Sequence, residues 1–307
     1  MSATYAYYPG CSGLGTSAEY DRSTRAICKA LGVGLVDIPD WSCCGSTPAH
    51  TVDHVLSCAL SARNIAQAET LDVAGIVTPC PSCLTNLKTA SHRMRDDAFK
   101  GKVESLLGHP VENRLPVMSV LQLLAEAIGP DRVAGKVVRP LTGLRLAPYY
   151  GCIMNRPPEV MEFDDCENPV AMDRLMAALG AEVAPFALKV ECCGASFGVA
   201  RRDVVMKLSG KLLDAAEDVG AHAMVTACPL CQMNLDLRQG QINAANNARH
   251  DMPVFYYTQL IGKALGLGDE SLMLDKLVVS PARVFHTMEE AQRAAFQRAE
   301  SQGASVA

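Results

Sequence analysis

Two sets of five cysteines recur in the same order along this chain, and no other feature of the sequence constrains its fold so tightly. The first set is carried by Tyr7-Tyr8-Pro9-Gly10-Cys11, Cys43-Cys44-Gly45 and Cys80-Pro81-Ser82-Cys83. The second is carried by Tyr149-Tyr150-Gly151-Cys152, Cys192-Cys193-Gly194 and Cys228-Pro229-Leu230-Cys231. Matching cysteines are offset by 141, 149 and 148 positions, so one insertion of about eight residues separates two copies of a single unit.

The likeness between the copies extends beyond the cysteines. Ile76-Val77-Thr78-Pro79-Cys80 matches Met224-Val225-Thr226-Ala227-Cys228, and Asn86-Leu87 matches Asn234-Leu235. This predicts two homologous lobes related by a pseudo-two-fold axis, residues 1–143 and 144–307, with the boundary in the Pro/Gly stretch Arg139-Pro140-Leu141-Thr142-Gly143. Within each copy short apolar runs alternate with helical patterns. Residues 4–8, 33–37, 75–78, 145–150, 181–183 and 223–226 read as buried strands, and 18–31, 51–71, 170–180 and 202–219 as helices. That alternation predicts α/β lobes, each a small parallel sheet covered by helices, with the cysteines at strand ends, where open sheets of this kind bind ligands.

Composition narrows the function. The chain has 307 residues, 49% hydrophobic and 20% charged, and a formal net charge of −5 with both signs interspersed. No basic stripe marks a nucleic-acid surface, and no run of 18 uncharged apolar residues marks a membrane span. Met1-Ser2-Ala3-Thr4-Tyr5 lacks the basic and apolar regions of a secretory signal, which predicts a cytoplasmic protein. In a reducing compartment, clustered cysteines bind metal or do redox chemistry rather than pair structurally.

Proline after the first cysteine of each Cys-x-x-Cys suits the first turn of a helix. Cys80 and Cys228 then stand where free N–H groups favour thiolate. Cys43-Cys44 and Cys192-Cys193 are adjacent, so both side chains reach one centre only if the backbone bends, as Gly45 and Gly194 permit. Each copy thus offers five thiols, where a zinc site or a cubane cluster takes four. A redox disulfide, a zinc site in one lobe and a structural zinc scaffold remain alternatives at this point.

These elements resemble the cysteine-rich CCG domain, and two copies over residues 4–265 resemble the B subunits of heterodisulfide reductases. The likeness rests on Tyr8-Pro9-Gly10-Cys11, Asp40-Trp41-Ser42-Cys43-Cys44-Gly45, Glu191-Cys192-Cys193-Gly194-Ala195-Ser196, Ala227-Cys228-Pro229-Leu230-Cys231 and Phe255-Tyr256-Tyr257-Thr258-Gln259-Leu260. It implies two non-cubane 4Fe–4S clusters, one on Cys11, Cys43, Cys44, Cys80 and Cys83, the other on Cys152, Cys192, Cys193, Cys228 and Cys231. It also implies a disulfide or persulfide substrate, free or on a carrier protein, held between the clusters. The implied partners are the flavoprotein (A) and iron–sulfur (C) subunits of such a complex, since no G-x-G-x-x-G follows a strand here. A second reading is an electron-transfer protein like those of succinate dehydrogenase and glycolate oxidase systems, passing electrons towards quinone.

Other residues carry weaker signals. Cys28 and Cys58 sit in helical apolar patterns and read as core. Cys166, in the acidic loop Asp164-Asp165-Cys166-Glu167, has no assigned role. His50 and His54 follow the first Cys-Cys-Gly, and a helix-start or surface role is the expectation over proton donation. Arg156, Arg201 and Arg202 read as anion attractors or surface ion pairs, and Trp41 as a shield for the first pair or a core side chain. Glu289–Glu300 reads as a helix without chemistry.

Overall fold

The computed structural model describes residues 3–46 and 52–303, with side chains up to residue 298. Two four-stranded sheets, every pairing parallel, form its framework. The first has the order β2-β1-β3-β4, from β1 (Thr4–Tyr7), β2 (Gly34–Asp37), β3 (Ile76–Thr78) and β4 (Val117–Ser119). The second repeats it as β6-β5-β7-β8, from β5 (Arg145–Tyr149), β6 (Glu182–Val183), β7 (Ala223–Thr226) and β8 (Val254–Tyr256). In both, the first strand is central, with Tyr7 beside Val77 and Tyr149 beside Thr226. The expected strands are all present. The outer strands β4 and β8 are additions: unlike the equally short β3 and β6, they are followed by no cysteine motif that marks them.

The helices end where their chemistry dictates. Ala18–Leu31 carries Glu19 and Asp21 in its first turn and Lys29 in its last, each opposing the helix dipole, and stops at Gly32 with φ +75°. His54–Ala68 starts at Asp53, whose carboxylate accepts from Val55 N at 2.7 Å and Leu56 N at 3.0 Å. Pro81–Arg93 and the helix from Pro229 both place proline in the first turn, as expected. The C-terminal helix runs Ala282–Gly303 and buries Val284 and Met288.

The halves interlock. After β8, helix Tyr257–Ala264 packs on Ala18–Leu31 of the first half; after β4, the helical run Val120–Gln122 and Leu123–Ile128 packs on Ala171–Ala178 of the second. Each half packs the helix after its last strand on the helix between the first two strands of the other, the reciprocity a pseudo-two-fold axis requires. One apolar core therefore runs through both, joining Tyr20, Ile27, Leu123 and Leu124 to Met172, Leu175, Tyr256 and Leu260. Ser23 Oγ and Thr258 Oγ1, 2.7 Å apart and buried, link the halves inside it. Among the described residues no helix is long and apolar enough to cross a membrane.

Candidate metal centre

All five thiols of each set follow the C-terminal ends of three neighbouring strands. In the first half, Cys11 lies in the turn Gly10–Gly13 after β1, Cys43 and Cys44 in the loop after β2, and Cys80 and Cys83 after β3. Cys80 occupies the cap of helix Pro81–Arg93 in extended conformation, so its thiol and that of Cys83 share the helix N-terminus. Cys44, Cys80 and Cys83 are buried, while Cys11 and Cys43 are exposed. The second half repeats this with Cys193, Cys228 and Cys231 buried, Cys192 exposed and Cys152 half-buried.

A matched set of side chains holds each cysteine pair. Tyr8 Oη donates to Ser42 O at 2.7 Å, and Tyr149 Oη donates to Glu191 O at 2.7 Å, each fixing the residue just before the pair. Ser61 Oγ donates to Cys44 O at 2.9 Å, and Ser209 Oγ to Cys193 O at 3.0 Å. Asn86 Nδ2 lies 3.6 Å from Cys44 Sγ, and Asn234 Nδ2 lies 3.5 Å from Cys193 Sγ, both within donating reach. Sequence reasoning paired Asn86 with Asn234 without giving them a role. The serines were missed, although they too recur at the 148-residue offset. In the first half Asn64 adds a double clasp on Ser42, accepting from its N at 2.8 Å and donating to its O at 3.0 Å.

Two glycines make room for the sulfurs. Gly10 has φ +70°, and a Cβ there would stand 2.9 Å from Cys83 Sγ; Gly151 has φ +76°, and its Cβ would stand 3.1 Å from Cys231 Sγ. Gly45 and Gly194 turn the chain after each pair with φ +79° and +83°.

The thiols perturb one another. Cys44 Sγ and Cys83 Sγ are 3.5 Å apart, as are Cys193 Sγ and Cys231 Sγ. Hydrogen bonding from Cys83 draws Cys44 down to about 6, and hydrogen bonding from Cys231 draws Cys193 down to about 7. Cys83 and Cys231, the donors in these pairs, are pushed up by those same bonds and by burial. Burial first, then the charges of Cys43, Cys44 and Cys80, raises Cys11. Burial, then Cys192, Cys193 and Cys228, raises Cys152 to about 12. Each lone cysteine thus lies within electrostatic reach of thiols of its own set.

The donor set suits a polynuclear thiolate-bound centre. Four sulfurs on one tetrahedral zinc stand about 3.8 Å apart. Each set holds five thiols, one more than such an ion takes. The two sets are also neighbours. Thr85 Oγ1, on the helix of Cys83, donates to Ile153 O beside Cys152 at 3.3 Å. The phenol of Tyr256, raised mainly by burial and then by Glu19, is raised further by both Cys228 and Cys80.

The remaining candidates resolve into structure. Cys28 and Cys58 are buried core thiols, pushed up by burial to about 12 and about 11. Cys166 is half-exposed, and its carbonyl accepts from Arg156 Nε at 3.1 Å; Arg156 also pairs with Glu167 at 2.7 Å. Arg201 pairs with Asp203 at 2.8 Å, and Arg202 is exposed. Trp41 packs edge-on against Tyr8 at 5.3 Å. His50 lies outside the described residues. His54 opens its helix and stands on the wall of a cavity of about 310 Å³ with Ser57, Ser82, Thr85, Asn86 and Arg93, beside the first quintet.

Comparison with known proteins agrees with this picture. The CCG cysteine-rich domain model matches residues 5–88 and 146–236, more than half the chain. The 8-methylmenaquinol:fumarate reductase membrane anchor subunit of Wolinella succinogenes is 32% identical over 92% of this chain and 100% of its own length. The B subunit of the ferredoxin:CoB-CoM heterodisulfide reductase of Methanosarcina mazei is 28% identical over 88% of this chain and 92% of its own. A hypothetical protein from Helicobacter pylori superposes with TM-score 0.72 at 12% identity over 91% of this chain, a likeness of fold in which this chain spans 52% of the other.

Proposed function

The chain belongs to the CCG cysteine-rich domain family, in tandem copies, and from that premise we propose that it is the iron–sulfur subunit of a heterodisulfide reductase-type oxidoreductase complex. In this reading residues 1–143 and 144–307 are the two cluster-binding units. Cys11, Cys43, Cys44, Cys80 and Cys83 hold one non-cubane 4Fe–4S cluster, and Cys152, Cys192, Cys193, Cys228 and Cys231 hold the other. The observation that carries it is the repetition, side chain for side chain, of the tyrosine, serine and asparagine around each cysteine pair.

When bound, such clusters supply electrons singly, and two adjacent ones match the two electrons that a disulfide or sulfane-sulfur bond takes or releases. The chain's own residues do the rest. Tyr8, Tyr149, Ser61 and Ser209 fix the backbone of each pair, and Asn86 and Asn234 direct N–H donors at the buried sulfurs. Exposed Cys11, Cys43 and Cys192 mark the open side of each pocket. The hydroxyl-lined cavity beside the first quintet, with Arg93 in its wall, favours a polar sulfur substrate, free or on a carrier protein. Electrons then pass through the iron–sulfur (C) and flavoprotein (A) subunits of the complex, partners that supply the nucleotide chemistry this sequence lacks.

Anaerobic reconstitution with iron and sulfide analysis and EPR tests the cofactor. About eight irons per chain are expected, four in each lobe, the total halved by Cys44→Ser or Cys193→Ser and unchanged by Cys28→Ser; zinc alone, or one iron per lobe, defeats the reading. The second reading, an electron-transfer protein working towards quinone, draws on the likeness to the Wolinella succinogenes protein and on exposed Phe197, Val199, Leu230 and Leu237 beside the second set. Turnover with a chemical reductant, on disulfides against quinones, separates the two.

A further inference from the structure

Away from the cysteines, His250 is the least explained buried polar side chain in the second half. Its side chain is 2% exposed, yet neither ring nitrogen makes a hydrogen bond. A buried imidazole that faces carboxylates without a hydrogen bond to either nitrogen has ligand capacity left over. The ring is aimed at helix Arg202–Asp218: Nε2 lies 3.6 Å from Asp214 Oδ1, and Nδ1 lies 3.0 Å from Glu217 Oε1. Asp214 and Glu217 are three residues apart and so share one helix face. One ligand atom from each of the three side chains fits within 4.8 Å of the others. The backbone of His250 is held on both sides by Asn243, whose Oδ1 accepts from His250 N at 2.8 Å and whose Nδ2 donates to His250 O at 2.9 Å.

The geometry points to a second kind of metal site in this protein: a mononuclear divalent site of the zinc class on His250, Asp214 and Glu217. One imidazole and two carboxylates form an N/O donor set that suits Zn²⁺, whereas Mg²⁺ and Ca²⁺ prefer all-oxygen shells. The carboxylates are 65% and 42% exposed, so they are free to close on an ion and leave its remaining position to water. The ion pins helix Arg202–Asp218 to the segment entering β8, the strand that ends at Tyr256. Its role is that of a brace, independent of whether the cysteines hold iron.

The test is titration of the iron-reconstituted chain with Zn²⁺ alone, by calorimetry and thermal melting, with iron measured before and after. One zinc per chain, a raised Tm and unchanged iron are expected. His250→Ala, and separately the surface double variant Asp214→Asn/Glu217→Gln, should each weaken zinc binding by about tenfold or more with iron unaltered. The double variant alters exposed positions, so it answers even if His250→Ala does not fold. Zinc binding that survives the double variant, zinc taken up only as iron is lost, or a melting temperature indifferent to zinc and to chelator would each overturn the proposal, the last leaving His250 as an ion-pair partner alone.

Discussion

Tyr20 of the first half and Tyr256 of the second stack face to face, with ring centroids 4.1 Å apart and planes 7° from parallel. Both rings are fully buried, and Tyr257 meets Tyr20 edge-on at 5.9 Å. Tyr256 stands at the end of β8, and its phenol feels both Cys80 and Cys228. The contact that joins the halves thus includes a residue close enough to both cysteine sets for Cys80 and Cys228 to raise its phenol, which links the interface to the paired sites.

That link is measurable. In a double-mutant cycle of Tyr20→Leu and Tyr256→Leu, read by urea unfolding, the two rings should couple by about 0.5–1.5 kcal/mol beyond their separate losses. Strict additivity would mean that the stack contributes only buried area.

The sequence made much of this legible, for reasons tied to particular residues. The strands before Cys11, Cys80, Cys152 and Cys228 were readable because buried parallel strands are continuous apolar runs, and the helices because Asp53, Gly32, Pro81 and Pro229 mark their ends. β4 and β8 were not: β3 and β6 are as short, but each runs into a cysteine motif, and Val117–Ser119 and Val254–Tyr256 do not. Nor was the exchange of helices between halves, because burial of Leu123 or Leu260 does not say against which half. At the site, the cysteines announced themselves by repetition. Ser61, Ser209, Asn64 and the tyrosine hydroxyls did not, because they act through backbone carbonyls and amides, which leave no pattern in side-chain chemistry. His250 was invisible, since its partners lie over 30 positions away.

Asn86 and Asn234 give a test of the donors around the sulfurs. Replacing either by Ala removes an N–H aimed at Cys44 or Cys193 and leaves the thiols in place. Metal affinity of the affected half should fall by about 10–100-fold, and its reduction potential should become more negative, because hydrogen bonds to sulfur stabilise the reduced, more anionic state. Iron titration and EPR-monitored redox titration check both. Equal affinity and potential in Asn86→Ala and the parent would show the amide to be a spacer.

Gly10 and Gly151 should resist substitution while Gly101 should welcome it. Alanine at Gly10 or Gly151 keeps a positive φ, at a cost of about 1–2 kcal/mol, and presses its Cβ on Cys83 or Cys231. Lower stability and reduced iron in one half are the expected pair of effects. Gly101 lies in helix Asp97–Leu107 with nothing within 4 Å of a new Cβ, so Gly101→Ala should stabilise by about 0.5–1 kcal/mol without touching iron. Thermal melts with iron counts on the three variants decide it.

Asp236 supplies the pH dependence. Its carboxylate is buried and accepts from Val278 N at 2.7 Å and Val279 N at 3.2 Å, tying the segment before the C-terminal helix to the helical run after Cys231. Burial raises it to about 6 from the ordinary 3.8, and the two amides only partly offset this. The folded chain therefore binds this proton more tightly than the unfolded chain does, so the group favours folding below pH 4. That advantage fades as pH rises through 6, by at most about 3 kcal/mol. Asp236→Asn cannot ionise: it loses one accepting oxygen at every pH but none of its stability between pH 4 and 7 through this route. Urea melts of both proteins across that range should give stabilities whose difference moves steadily against the parent as pH rises, then levels off above about pH 7. A constant difference would mean that the two amide donors hold Asp236 ionised in the fold as easily as water does in the unfolded chain.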